Sequence, residues 1–171
     1  ESENLNYASI DGILFTKNLK VLICFPSNHR FSTYTIPAGV TSIADFAFSH
    51  CTNLESIIIS TSVTSICDSA FSACYYLKSI DVESENLNYA SIDGILFTKN
   101  FEVLIWFPSK HRFSTYTIPT SVTSIGDSAF LNCTNIQLII IPTSVTSMGD
   151  SAFSNCYNLR SITIPPSVTS I

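Results

Sequence analysis

The chain is poor in charge. Only 12 % of its 171 residues are charged, eight of them Lys or Arg against 13 Asp or Glu, for a formal net charge of −5. So thin a scatter supplies no basic stripe, which excludes nucleic acid as a partner. Long apolar runs are missing too. Nothing approaches the roughly 20 residues of a membrane-spanning helix, so no membrane insertion is expected of this fragment. No signal peptide opens the chain; it begins at Glu1 in mid-pattern and stops at Ile171 as another repeat starts, and so reads as a piece of a longer array. The G-x-S-x-G, phosphate-loop and H-E-x-x-H motifs are absent, and the chain is read as a non-enzyme without a cofactor. With 46 % hydrophobic residues, disorder is excluded and a continuous core is available.

What the chain has instead is repetition. Val40 and Val63 lie 23 residues apart, as do Val122, Val145 and Val168. Residues 1–82 and 83–164 agree at 61 of 82 positions without a gap, and 1–18 recur letter for letter at 83–100. Each copy holds two coils of 23 residues and one longer unit of 36. A fixed period of this size signals a solenoid, whose repeats bury their apolar faces only against their neighbours.

Within a short coil, Leu159, Ile162 and Ile164 alternate as the inward side chains of a strand, ended by Pro165, which has no N–H to donate. Residues 167–171 (S-V-T-S-I) form a second extended segment on the return side. Residues 149–156 read as a helical turn with Asp150 or Ser151 at its N-cap, turning Ala152, Phe153 and Cys156 inward. Phe48, Phe71, Phe130 and Phe153 then share one slot and form an aromatic spine. In the longer unit, residues 10–15 and 21–26 are β-rich runs joined by a polar turn. They read as a β-hairpin with Gly12 a candidate bulge. Residues 31–37 and 113–119 fit the strand slot of a regular coil.

The recurring I-P-x-S-V-T-S-I-G-x-x-A-F-x-x-C-x-x-L, with the interleaved N-Y-A-S-I-D-G-I-L-F-T-K of residues 88–99, resembles the BspA-like (TpLRR-type) leucine-rich repeat family over essentially the whole chain. The expected fold is a single, mostly β leucine-rich-repeat solenoid over 1–171, made of the duplication 1–82 and 83–164 and a truncated repeat 165–171. One parallel sheet of six strands lines one face, with short helical turns and two β-hairpin insertions elsewhere. The resemblance also implies a cell-surface or secreted protein that adheres to host cells or matrix proteins. This chain departs from the standard pattern at Ser62, Ser144 and Ser167, which stand where Asn or Cys is usual. Ser hydroxyls are therefore expected to do the work of an Asn ladder.

Cys51, Cys74, Cys133 and Cys156 occupy one motif slot and read as small buried hydrophobes with free thiols. With Cys24 and Cys67 the total is six, an even count that also fits disulfides, but no pair has zinc-ligand spacing. His29-Arg30 and His111-Arg112 are two copies of one loop and read as a solvated turn. Asp68, Asp127 and Asp150 recur at coil spacing as caps. Asn132-Cys133-Thr134 matches the glycosylation triplet, but the buried Cys133 argues against attachment there.

Alternation places the remaining strand residues on the surface facing away from the core. In chain order they are Thr33 and Thr35, Ser56 and Ile58, Ser79 and Asp81, Thr115 and Thr117, Leu138 and Ile140, Ser161 and Thr163. Most are hydroxyls able to bond across strands. Leu138 and Ile140 break that rule side by side, and an apolar cluster on such a face marks a contact surface. The expected function is a protein-binding adhesin with a host or matrix protein as partner; a structural spacer and an intracellular scaffold are the alternatives. Uncapped solenoid ends, which expose core and strand edges, offer a route to a homodimer.

Overall fold

The computed structural model describes residues 4–170, and every regular element among them is a β-strand. Residues 1–3 and 171, where the duplication starts and the truncated repeat ends, lie outside the described residues. The first copy contains β1 (Tyr7–Ile10), β2 (Ile13–Thr16), β3 (Val21–Cys24), β4 (Thr33–Thr35), β5 (Ser42–Ile43), β6 (Ser56–Ile59), β7 (Ser65–Ile66) and β8 (Ser79–Val82). The second repeats them as β9 (Tyr89–Ile92), β10 (Ile95–Thr98), β11 (Val103–Trp106), β12 (Thr115–Thr117), β13 (Ser124–Ile125), β14 (Leu138–Ile140), β15 (Ser147–Met148) and β16 (Ser161–Thr163).

These strands form a solenoid with two sheets per copy. On the return side, β1-β2-β3-β5-β7 and its counterpart join an antiparallel meander to parallel return strands. On the other side, β4-β6-β8 and β12-β14-β16 are parallel, in register at 23-residue steps. The six-stranded face expected from the sequence is thus divided into two panels of three. The cause is the second hairpin. The Ile80 N–H donates to Gly94 O at 2.8 Å, so the hairpin tip takes the place beside β8, and β12 pairs only with β14. Gly94 is required there, because a Cβ on it would meet Ser79 Cβ at 2.6 Å.

The insertion is a three-stranded meander, one strand more than the expected hairpin. Gly12 is no bulge: with Asp11 at φ 51 and Gly12 at φ 83, the pair is the two-residue turn between β1 and β2. Left-handed φ at both central positions is what such hairpin turns demand. The irregularity lies instead between Leu14 and Phe15, in the β2–β3 pairing.

The segments expected to be helical are consecutive turns. Phe46, Ser128 and Ser151 adopt left-handed φ, as do His50, Ala73, Asn132 and Asn155 immediately before each core cysteine. An αL residue every few positions cannot propagate a right-handed helix. The amides bond over three residues, as in Cys51 N to Phe48 O, or cross to the next coil, as in Phe48 N to Ala70 O at 2.9 Å.

Stacking brings identical slots into register. The spine is longer than expected: Phe25, Phe48, Phe71 and Trp106 follow one another at centroid separations of 5.4, 5.7 and 5.8 Å, and Phe107, Phe130 and Phe153 at 4.9 and 5.2 Å. Beside it the cysteine thiols donate to the Phe-slot carbonyl one coil back: Cys74 Sγ to Phe48 O at 2.7 Å, Cys133 Sγ to Phe107 O at 3.3 Å, Cys156 Sγ to Phe130 O at 3.0 Å. All six cysteines are free thiols; Cys24 is exposed and Cys67 half-buried, so neither belongs to this ladder. Burial pushes the Cys133 thiol well above its ordinary pKa, as suits a thiol that stays protonated.

The serine ladder takes the place of an Asn ladder. Ser62, Ser144 and Ser167 donate to the carbonyls of Val40, Val122 and Val145 at 2.7 to 2.8 Å. In the longer unit Asn86 fills the same role with two bonds, to Ser60 O at 2.8 Å and Val63 O at 3.0 Å. One core assignment fails: Ile164 is 47 % exposed, whereas its counterparts Ile59 and Ile141 are buried under a following coil.

Candidate functional site

All twelve outward strand positions lie on the two panels. In the first, Thr33, Ser56 and Ser79 form one row and Thr35, Ile58 and Asp81 the other. Ser79 Oγ lies 2.9 Å from Ser56 Oγ and 3.1 Å from Asp81 Oδ2, which ties the hydroxyls together. Ile58 is half-buried. In the second panel, Thr115, Leu138 and Ser161 form one row and Thr117, Ile140 and Thr163 the other. Leu138 is 36 % exposed and Ile140 47 %, in the middle strand, with hydroxyl residues on both sides and no charge among the six. The structure therefore gathers an apolar centre with a polar rim in the second panel and not in the first.

The His111 loop is a buried clamp and not the solvated turn expected from sequence. His111 is 2 % exposed, packed between the rings of Phe107 and Phe113 at 4.8 and 4.5 Å. Its Nε2 is 2.7 Å from Asp93 O at the hairpin tip, and its Nδ1 accepts the Phe113 N–H at 3.3 Å. His29 repeats the geometry on Asp11 O and Phe31 N. The ring must be neutral to accept at Nδ1 and donate at Nε2. The charged groups at the clamp are Arg112 and Asp93, themselves paired at 2.9 Å. Desolvation holds the His111 pKa below its usual value, the Asp93 carbonyl partly offsets this, and Arg112 adds to it. The unfolded chain therefore binds a proton more readily than the folded one. Stability is flat above the ordinary histidine value near 6.5 and falls as the pH drops from there toward the folded value. Thermal melts from about pH 8 to about pH 5 are expected to show this loss, and His111→Gln to flatten it; an unchanged slope in the variant would refute the clamp.

Acidic residues also collect. Asp45, Asp68, Asp127 and Asp150 line an open hollow of about 490 Å³ where turns of the two copies approach. Asp127 Oδ1 accepts the Asp150 N–H at 2.9 Å, so Asp127 caps a turn, though that of the next coil. Among the described residues no group of three or more His, Cys, Asp or Glu could hold a metal ion.

Sequence reasoning passed over the exposed aromatics on the turn side: Phe46 at 57 %, Tyr75 at 45 %, Tyr76 at 52 % and Tyr157 at 79 %. A signal was available. Tyr75-Tyr76 stands where the first coil of each copy has Thr-Asn, and Phe46 where the other coils have Ser.

A family model described as BspA type leucine-rich repeat region matches residues 9–104 and 105–171, with six copies. Among solved structures, a leucine-rich repeat protein from Eubacterium ventriosum is 30 % identical, with a TM-score of 0.77 over 86 % of this chain and 37 % of that one. A leucine-rich cell surface protein from Faecalibacterium prausnitzii is 29 % identical, with a TM-score of 0.56 over 82 % of this chain and 50 % of that one. The pneumococcal vaccine antigen PcpA, at 24 % identity and a TM-score of 0.69 over 81 % of this chain and 40 % of that one, shares the fold. The chain thus spans between about a third and a half of the length of these proteins. No curated protein matches it in sequence.

Proposed function

Because the chain belongs to the BspA-type leucine-rich repeat family, we propose that it is a protein-interaction module, a surface adhesin that binds a host-cell or extracellular-matrix protein through the second strand panel. One observation carries the reading. Leu138 and Ile140 stand exposed side by side in the middle strand of a panel whose other outward residues are all Ser or Thr. An apolar centre with a hydroxyl rim and no charge has the anatomy of a protein-binding patch. In a parallel sheet each residue sits in register with its neighbours, so the patch is rigid and little ordering entropy opposes binding.

A cell-surface setting is supported by the relative from Faecalibacterium, itself described as a cell surface protein. Binding to purified matrix and host-surface proteins, each immobilised separately, tests the reading. Saturable binding to one of them is expected. Absence of saturable binding to every one would overturn it.

A further inference from the structure

The two copies differ in charge only on the strand side. Between residues 26–82 and 108–164 the formal charge changes at three positions, each time by one unit toward positive. Lys110 stands where the first copy has Asn28, Gln137 where it has Glu55, and Thr163 where it has Asp81. Lys110 lies in the loop leading into β12, Gln137 immediately precedes β14, and Thr163 ends β16. None of the three falls on the turns or the return strands. A chain with a net charge of −5 thus carries one panel from which both acids have been removed.

The consequence shows in the ion pairs. In the first copy Lys78 Nζ holds Glu55 Oε1, one coil back, at 2.8 Å. Their backbones are joined too, the Lys78 N–H donating to Glu55 O at 2.7 Å. In the second copy the Arg160 N–H donates to Gln137 O at 2.9 Å in the same way, but the side chain beside it is an uncharged amide. The lost acid is therefore set by Gln137, in the coil before, which both copies contain. Among the described residues no carboxylate pairs with Arg160 or Lys110, and Lys110 Nζ rests on Thr134 Oγ1 at 3.3 Å. Gln137 and Arg160 are exposed, and Gln137 adjoins the exposed Leu138.

We propose that the second panel selects an acidic segment of its protein partner, one that presents a carboxylate next to an apolar side chain. The proposal rests on the reading of this panel as the binding surface. Leu138 and Ile140 receive the apolar side chain, and Arg160 receives the carboxylate. A guanidinium takes a carboxylate with two parallel N–H bonds, whereas the ammonium of Lys, the residue at this position in the first copy, acts as a point charge. Lys110 adds positive potential at the turn end of the panel. A positive rim around an apolar centre steers an acidic partner in and rejects a basic one. The first panel, with Asp81 outward and Lys78 neutralised by Glu55, has no such preference.

Three fluorescent peptides test this by anisotropy against the full chain: a Ser-rich peptide carrying Leu and Ile beside Glu, and its versions with Gln or Lys for Glu. The Glu peptide is expected to bind saturably, about tenfold tighter than the Gln peptide, and the Lys peptide not at all. The gap is expected to close as salt rises from about 0.05 M to about 0.5 M. Gln137→Glu rebuilds the first-copy pair on Arg160 without touching Leu138 or Ile140. It is expected to lower binding of the Glu peptide to the level of the Gln peptide, with the melting temperature unchanged, and Arg160→Gln to do the same. Heparin, an acidic glycan without apolar side chains, is expected not to displace the Glu peptide. Equal binding of the Glu and Gln peptides would overturn the charge selection and leave the panel standing as the binding surface. Failure of the Glu peptide to bind, or its displacement by heparin, would overturn the proposal. Undiminished binding of the Glu peptide to a Leu138→Ser, Ile140→Thr variant would overturn the reading of the panel as well.

Discussion

Trp106→Ala is expected to cost about 3–5 kcal/mol and to separate the unfolding of the two copies. The tryptophan is 2 % exposed, and with Leu96 it belongs to the core of the first copy, although both come from the second. The next residue, Phe107, belongs to the core of the second copy and stacks on Phe130 at 4.9 Å. Strand alternation at the end of β11 sends neighbouring side chains in opposite directions, so two consecutive residues anchor two cores. In a solenoid, stability is a sum of unit terms and nearest-neighbour contacts, so removing the contact lets the units melt apart. Among the described residues the Trp106 Nε1 is the one buried side-chain N or O atom without a hydrogen-bond partner. Trp106→Phe, which removes that N–H and keeps the ring, is expected to retain most of the stability. Urea unfolding followed by circular dichroism reads both outcomes: two resolved transitions for the alanine variant and one for the phenylalanine variant. A single transition near the wild-type midpoint for the alanine variant would contradict the assignment.

Phe130→Ala is the second large effect, again about 3–5 kcal/mol. Phe130 is fully buried, lies between Phe107 at 4.9 Å and Phe153 at 5.2 Å, and meets Tyr116 at 6.4 Å. A cavity there strips contacts from both stacked neighbours, and aromatic pairs add to the loss of buried area. The equivalent change at Phe153, which is half-buried, is expected to cost markedly less. Equal midpoints for the two variants in a urea melt would show that the spine does not carry the stacking energy assigned to it.

How much of this was legible in advance depended on whether a residue's setting repeats every 23 positions. The core slots, the serine ladder and the outward strand positions all do, and each was readable from spacing and alternation. The turn segments escape such a reading because inter-coil hydrogen bonds and αL residues such as Ala73 and Asn132, not local helix propensity, decide their path. The Asp11-Gly12 turn carries the ordinary two-residue hairpin signature, but its place inside an apolar run hides it. The burial of His111 was hidden because it depends on a contact with Asp93, 18 residues away, through the folded meander. The division of the strand face was hidden for the same reason, since it rests on the Ile80–Gly94 bond and the close Gly94–Ser79 approach, which place the hairpin beside β8.

We propose a separation of labour in which residues that obey the repeat hold the solenoid together and the exposed pair Leu138 and Ile140, which breaks it, binds the partner. Leu138→Ser combined with Ile140→Thr restores the hydroxyl pattern on an exposed strand without touching the core. Binding to the matrix or host-surface protein that the wild-type chain engages, measured beside the thermal midpoint of both proteins, tests it most directly. Binding weakened at least tenfold, about 1.4 kcal/mol, is expected, with the midpoint nearly unchanged. Binding at wild-type strength by a variant that melts like the wild type would contradict it.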